Sequence, residues 1–362
     1  MAGLNMDGGL TAPAEGRNVA AFRRALVGWY DAHRRDLPWR GTRDPYRIWL
    51  SEIMLQQTRV AAVLGHYRVF LERFPDVETL AAAREDAVLA AWSGLGYYRR
   101  ARMLHRCARE IAGQQGGVFP ESAEAWRELP GIGRYTAAAI ASIAFGEPVA
   151  VVDGNVERVL KRIYARDLRP QQCWARAEEL ISRKRPGDFN QAMMELGATV
   201  CVPAGPRCPV CPVRKWCGAR ADAVREQARP AKVATAGARR TDEARRNGRG
   251  AGAPARRQRE IWCALDERAG QVRLVKRARD ASIMAGMWEM PAWTTAPHAA
   301  NGNALWRTFR HSITVTDYTV HVMRDAGGRA AAGRGRWTAV EKILQLPITG
   351  LTRKILKAGG II

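Results

Sequence analysis

From Pro45 to Leu55 the chain reads as an apolar-rich helix, opened by Asp44 as a capping side chain and by Pro45 in the first turn. A second helical run, Arg134 to Ile140, follows the tight turn Leu129-Pro130-Gly131-Ile132-Gly133 and ends near Gly146. A third starts just after Asp153, where Val156, Val159, Leu160 and Ile163 recur at i, i+3, i+4 and i+7. The first two-thirds of the chain therefore predicts an almost wholly helical body. Beyond it the period changes to two. Ile261 to Leu265 and Val272 to Arg277 predict a hairpin across Asp266 to Gln271, and Tyr318, Val320 and Val322 alternate as in another strand, so the C-terminal module predicts an α+β domain.

Two carboxylates stand out against this pattern. Glu52 has Ile48 and Trp49 one turn back and Leu55 and Gln56 one turn on, so it shares a largely apolar helix face. Such a Glu either leans out to solvent or an Arg, or is desolvated and held protonated near neutral pH. Asp153 reads as the cap of its helix, where the dipole and N–H groups favour the ionised form. Gly131 and Gly133 let the backbone approach a ligand closely, and the free N–H groups of the helix that follows suit a phosphate.

Four of the 7 cysteines, Cys201, Cys208, Cys211 and Cys217, are spaced C-x6-C-x2-C-x5-C. They point to the thiolate ligands of a [4Fe-4S] cluster, aided by the Cys-Pro pairs at 208 and 211. A zinc site, which more often pairs two short knuckles, is the alternative that spacing leaves open. A secreted disulfide framework does not fit so few cysteines without an apolar signal peptide. Cys107, Cys173 and Cys263 read as buried thiols.

Charge indicates the partner. Lys and Arg number 58 against 35 acidic residues, a formal +23, which is the footprint of a nucleic-acid binder, although a membrane surface or an acidic protein would also attract it. No run reaches transmembrane length; Thr136 to Phe145 has the size of a buried helix. Arg220 to Arg259 holds 12 Lys or Arg against 4 Asp or Glu among Ala, Gly and Pro, a composition that builds no core. The expected organisation is a disordered N-terminus over 1–17, a helical body over 18–218, a flexible basic linker over 219–258 and a second domain over 259–362.

Taken in order, the hairpin Leu129 to Gly133, then Val152-Asp153-Gly154-Asn155-Val156, then the four cysteines, resemble the helix-hairpin-helix, Gly/Pro-Asp superfamily of base-excision DNA glycosylases. In its endonuclease III branch a catalytic Lys follows the hairpin where this chain has Tyr135. Leu37-Pro38-Trp39-Arg40, Trp49 to Thr58, Gly94-Leu95-Gly96-Tyr97-Tyr98 and Phe189 to Met194 resemble the adenine DNA glycosylase (MutY) branch. The likeness runs from about residue 20 to 218.

The resemblance implies a monofunctional enzyme that removes adenine mispaired with 8-oxoguanine or guanine from double-stranded DNA, with a [4Fe-4S] cofactor. By the same pattern Glu52 protonates the base, Asp153 stabilises the sugar cation, and Tyr135 and Asn155 orient them. Trp39, Arg40, Leu55 and Gln191 line the base pocket, while Gln57 and Tyr97 wedge into the stack. The basic run Arg99, Arg100 and Arg102 favours a DNA face beside Tyr97, and Arg207, Arg214 and Lys215 offer phosphate contacts. The expected state is a monomer, cytoplasmic and nucleoid-associated, with no membrane partner.

Gly286 to Pro291 and Leu346 to Leu351 carry the resemblance into the C-terminal module, which is similar to the MutT-like (Nudix-fold) domain of that family but lacks the acidic Nudix box. Where the family commonly has Phe-Ser-His in a loop that recognises 8-oxoguanine, this chain has Phe309-Arg310-His311. Two other classes compete: a bifunctional pyrimidine glycosylase with lyase activity, which the missing Lys opposes, and a non-enzymatic iron-sulfur DNA-binding protein, which has no use for Glu52 in an apolar helix.

Overall fold

A computed structural model describes residues 18–114, 116–220, 256–294, 305–313, 315–324 and 335–362. The expectations for 1–17 and for 221–255 of the linker lie outside the described residues. Before the cysteine loop the α-helices among the described residues are α1 (Val19–His33), α2 (Pro45–Leu55), α3 (Val60–Arg73), α4 (Val77–Ala82), α5 (Glu85–Trp92), α6 (Arg99–Gln114), α7 (Ala123–Arg127), α8 (Arg134–Ile140), α9 (Gly154–Tyr164), α10 (Pro170–Leu180) and α11 (Pro186–Thr199). A π-helical turn, Ala141–Phe145, extends α8 to Gly146, whose left-handed φ of 76° closes it.

By contact the chain divides into two compact units. One takes the residues up to Ala81 together with those from Arg106 through the cysteine loop; the other takes Ala82–His105 with the C-terminal module. Residues 82–105, which the sequence reading kept within the helical body, group by contact with the C-terminal module. Ser93 Oγ and Tyr98 Oη both donate to the Ile348 carbonyl, at 2.8 and 3.3 Å, and Lys276 pairs with Asp86 at 3.2 Å. These side chains tie α5 and the start of α6 to the C-terminal module.

In the first unit the apolar stripes of α1, α9 and α11 converge. Phe22, Leu26 and Tyr30 meet Val156, Val159, Leu160 and Ile163, and Phe189, Ala192 and Leu196 close the core. Burying these side chains removes the stripe predicted at period 3.6 from water, at roughly 1.5–3 kcal/mol for each large one. The cysteine loop is anchored here by Trp216, whose ring meets Phe22 edge-on at 5.7 Å. Close helix contact depends on Gly197 of α11, where an added Cβ would stand 2.7 Å from the Asn155 Cβ.

Among the described residues the second unit holds two four-stranded sheets. Strands β1 (Arg257–Leu265), β5 (Ala292–Trp293), β6 (Leu305–Ile313) and β7 (Thr316–Arg324) lie in the order β5-β1-β7-β6, with β1 parallel to β7. The other sheet runs β2 (Glu267–Arg268), β3 (Gln271–Lys276), β4 (Trp288–Glu289), with β8 (Arg336–Ala339) also on β3. Val320, Val322, Leu265, Leu274 and Ile355 share its core. The expected hairpin between 261–265 and 272–277 is corrected. The turn at Ala269-Gly270, both at positive φ, joins β3 to the short β2, while β1 is hydrogen-bonded to β7 and β5 in the other sheet.

Candidate active site

The Asp44 side chain accepts from the Tyr46 and Arg47 N–H groups and starts α2, which carries Glu52 into the interior with 6% of its surface exposed. Burial pushes the Glu52 carboxyl up to about 7; the Tyr135 hydrogen bond pulls it down, the charge of Asp153 pushes it up and that of Arg40 pulls it down. Tyr135 is supplied by the first turn of α8. Gly131, at a φ of 79°, makes the preceding turn, and Gly133 caps the helix. The Tyr135 hydroxyl donates to Glu52 Oε2 at 2.8 Å and lies 3.3 Å from Met194 Sδ.

Asp153 caps α9 as expected. Its Oδ1 accepts from the Val156 N–H at 2.7 Å and its Oδ2 from Asn155 Nδ2 at 3.0 Å. The extended segment before it is pinned by Asn190, which accepts from the Val151 N–H at 3.1 Å and donates to the Val149 carbonyl at 2.9 Å. Behind Asn155, Arg158 donates to the Asn155 Oδ1 at 2.9 Å and to the Cys201 carbonyl at 2.9 Å. A hydrogen-bonded path therefore runs from the capped carboxylate to the cysteine loop.

Glu52, Tyr135, Asp153, Asn155, Trp39, Arg40, Leu55, Gln57 and Gln191 line one cavity of about 560 Å³. Nine residues named from sequence are thus brought together. Arg35, Met194 and Glu195 join them and were not among the candidate site residues. Glu195, 1% exposed in α11, meets Arg35 at 2.7 Å and Arg40 at 2.5 Å. Burial pushes its carboxyl up, but the hydrogen bonds and charges of the two guanidinium groups outweigh this and bring it to about 2. Its sequence signal is the one that marked Glu52, a Glu within the apolar run Met193-Met194-Glu195-Leu196.

Gln57 and Tyr97 share a feature that sequence did not disclose. Both are non-glycine residues in the left-handed region, at φ of 55° and 48°, and Tyr97 is 52% exposed. Part of the adjoining basic run is engaged within the protein. Arg100 lies over the Trp92 and Tyr97 rings and donates to the Leu95 and Gly96 carbonyls, with burial bringing it down to about 10. Arg102 binds Glu85 and the Ala285 carbonyl; Arg99 is exposed.

Cys201, Cys208, Cys211 and Cys217 line a common cavity of about 480 Å³ with Arg162. Arg162 donates to the Cys201 Sγ at 3.3 Å and to the Val202 and Pro203 carbonyls, fixing the loop. Arg207, Arg214 and Lys215 are exposed around it. Cys107, Cys173 and Cys263 are buried, as expected.

Phe309, Arg310 and His311 sit in β6, paired with Val320, Thr319 and Tyr318 of β7, and not in a loop. Alternation buries Phe309 and exposes Arg310, while burial and then the Lys354 charge pull the His311 imidazole down.

A helical domain with a glycine turn before α8, a capped Asp153 and a buried Glu52 in one cavity defines a class, and residues 50–183 match the family described as HhH-GPD superfamily base excision DNA repair protein. The chain is 40% identical over 321 residues to the adenine DNA glycosylase of Homo sapiens, spanning 77% of this chain and 58% of that one. It is 48% identical over 217 residues to the adenine DNA glycosylase of Rattus norvegicus, spanning 56% of this chain and 42% of the relative. It thus covers less than two-thirds of the length of either relative. A solved thermostable thymine-DNA glycosylase superposes with a TM-score of 0.53 at 31% identity, over 56% of this chain and 97% of that one. The chain belongs to the HhH-GPD superfamily of base excision DNA repair proteins, and within it is similar to the adenine DNA glycosylases (MutY). Among the described residues no helix is long and apolar enough to cross a membrane.

Proposed function

We propose that the protein is a monofunctional DNA glycosylase that extrudes adenine mispaired with 8-oxoguanine or guanine and hydrolyses its N-glycosidic bond. The observation that carries this reading is the pairing of two carboxyl groups in unlike surroundings within one cavity: Glu52 pushed up to about 7 by burial, and Asp153 bound to a helix N-terminus. Breaking such a bond needs a proton on the leaving base and an anion beside the sugar as it becomes a cation. Glu52 gives its proton to an adenine ring nitrogen, the C–N bond electrons leave with the base, and Asp153 faces the resulting oxocarbenium ion. Glu52, now a carboxylate, takes a proton from the water that attacks the sugar. Tyr135 orients Glu52 and Asn155 orients Asp153. A Tyr, not a Lys, follows the hairpin, which supports hydrolysis without an amine adduct.

Adenine must leave the stack to reach this cavity. Trp39, Arg40, Leu55 and Gln191 receive it, and Gln57 and Tyr97 fill the gap. Their left-handed backbones support this, since strain persists where a side chain must be presented in one direction. Gly131 and Gly133 hold a DNA phosphate at the start of α8. The four cysteines hold a [4Fe-4S] cluster. The donor set fits: four thiols line one cavity. When bound, the cluster supplies a structural cross-link that presents Arg207, Arg214 and Lys215 to phosphate. The C-terminal sheets form a Nudix-like domain in which Phe309, Arg310 and His311 face 8-oxoguanine. The protein acts as a monomer on DNA in the cytoplasm.

The test is single-turnover base release from duplexes carrying adenine opposite 8-oxoguanine, guanine or thymine. Release opposite 8-oxoguanine, with strand scission only after alkali, is the expected result. Scission before alkali, or trapping to DNA by borohydride, would point to a lyase instead.

A further inference from the structure

Glu195 is a buried charge in the base cavity that the reaction above does not use. Taking a carboxylate out of water costs several kcal/mol unless it is fully compensated. Its two oxygens accept from Arg35 Nε and Nη2 at 2.7 Å each and from Arg40 Nη2 at 2.5 Å. Arg40 is nine-tenths buried and lies over the Tyr30 ring, and its Nη1 has no hydrogen-bond partner among the described residues. The Glu195 bond is thus what fixes its guanidinium. The groups that act on Glu52 are Tyr135, Asp153 and Arg40; those that act on Glu195 are Arg35 and Arg40.

We propose that Glu195 is a positioning residue of the base pocket: it pins Arg40 in the wall and offsets much of its charge, so that a cation lines the pocket while drawing less on the Glu52 proton. The proposal rests on the glycosylase reading. A pocket for a neutral base with several acceptor nitrogens gains from a fixed N–H donor, and a guanidinium supplies one permanently. The same cation, uncompensated, favours ionised Glu52 and removes the acid. Arg35, Arg40 and Glu195 together carry one net positive charge. Glu195→Gln leaves two, and Arg35→Gln leaves none.

The experiment is the pH dependence of single-turnover adenine release, followed between about pH 5 and pH 9. In the native protein the rate falls as pH rises through the Glu52 transition. In Glu195→Gln that fall moves to lower pH by about one unit, and combining it with Arg40→Met moves it back. In Arg35→Gln, a substitution at a side chain 41% exposed, it moves to higher pH, which keeps the test open if Glu195→Gln does not fold. A merely structural ion pair lowers the amplitude and leaves the transition in place; that outcome in both variants overturns the proposal. Titration of the Glu52 carboxyl carbon in 13C-glutamate-labelled protein reads the same opposite shifts without turnover. Inactive native protein therefore removes the glycosylase reading, whereas unmoved carboxyl titrations remove the role of Glu195.

Discussion

The Tyr135 hydroxyl, 2.8 Å from Glu52 Oε2, is a donor aimed at a carboxyl that burial otherwise holds protonated. A donor to the ionised form lowers the pKa, so the two effects oppose each other and Glu52 is left near neutrality. Tyr135→Phe removes the donor alone. The fall in the rate of adenine release at high pH is expected to move up by about one pH unit, with a lower plateau from a less well oriented acid. A shift downward would mean that the hydroxyl accepts from the protonated acid instead.

Glu52→Gln separates chemistry from stability. Base release is expected to disappear while duplex affinity changes little. The carboxyl has an ordinary value of 4.5 and sits at about 7 in the folded chain, so below pH 4.5 it costs the fold nothing. The stability present there is lost as pH rises through 7, by about 3 kcal/mol in full. Glu52→Gln should therefore match the native protein in denaturant unfolding near pH 4 and exceed it near pH 8. Equal stability at both pH values would place Glu52 in contact with solvent.

How much of this site the sequence disclosed depended on how local each signal was. Asp44 and Asp153 were legible because a cap is satisfied by N–H groups two or three residues away. Glu52 was legible as an anomaly within one helical turn. Arg35 and Glu195 were not, because their pairing spans 160 residues and depends on how α1 and α11 pack. The β1 misreading has the same origin. A hairpin is a local inference that joins β1 to the nearby β3, yet β1 is paired along its length with β7, which begins only at Thr316. Residues 82–105 looked like part of one helical body because helix periodicity says nothing about which neighbour buries the stripe; the Ser93 and Tyr98 bonds to Ile348 decide it.

Gln57 carries backbone strain on an exposed side chain, at a φ of 55°. Glycine adopts this region freely, so Gln57→Gly is expected to stabilise the protein by about 1 kcal/mol in denaturant unfolding. On the proposed reading, in which Gln57 fills the gap in the base stack, the same variant should slow adenine release from duplex DNA. A loss of stability would show that the side chain, not the wedge function, maintains this backbone conformation.

Arg158 and Arg162, one helical turn apart on α9, divide the connection between the cysteine loop and the capped carboxylate. Arg158 reaches both ends, through Asn155 Oδ1 at 2.9 Å and the Cys201 carbonyl at 2.9 Å, and also holds the Gly197 carbonyl at 2.7 Å. Arg162 reaches only the loop, through Cys201, Val202 and Pro203. Hydrogen bonds to a charged group are worth about 1.5–3 kcal/mol, so losing the one that orients Asn155 should slow the chemical step about 10- to 100-fold. Arg158→Met is expected to lower both iron content and the single-turnover rate per iron-loaded molecule. Arg162→Met is expected to lower iron content while the rate per loaded molecule stays near native. Iron per chain and active fraction, measured on the same preparations, separate the two. A native rate in iron-loaded Arg158→Met would mean that Asn155 holds Asp153 without help, and that the path to the cysteine loop serves only to hold the loop in place.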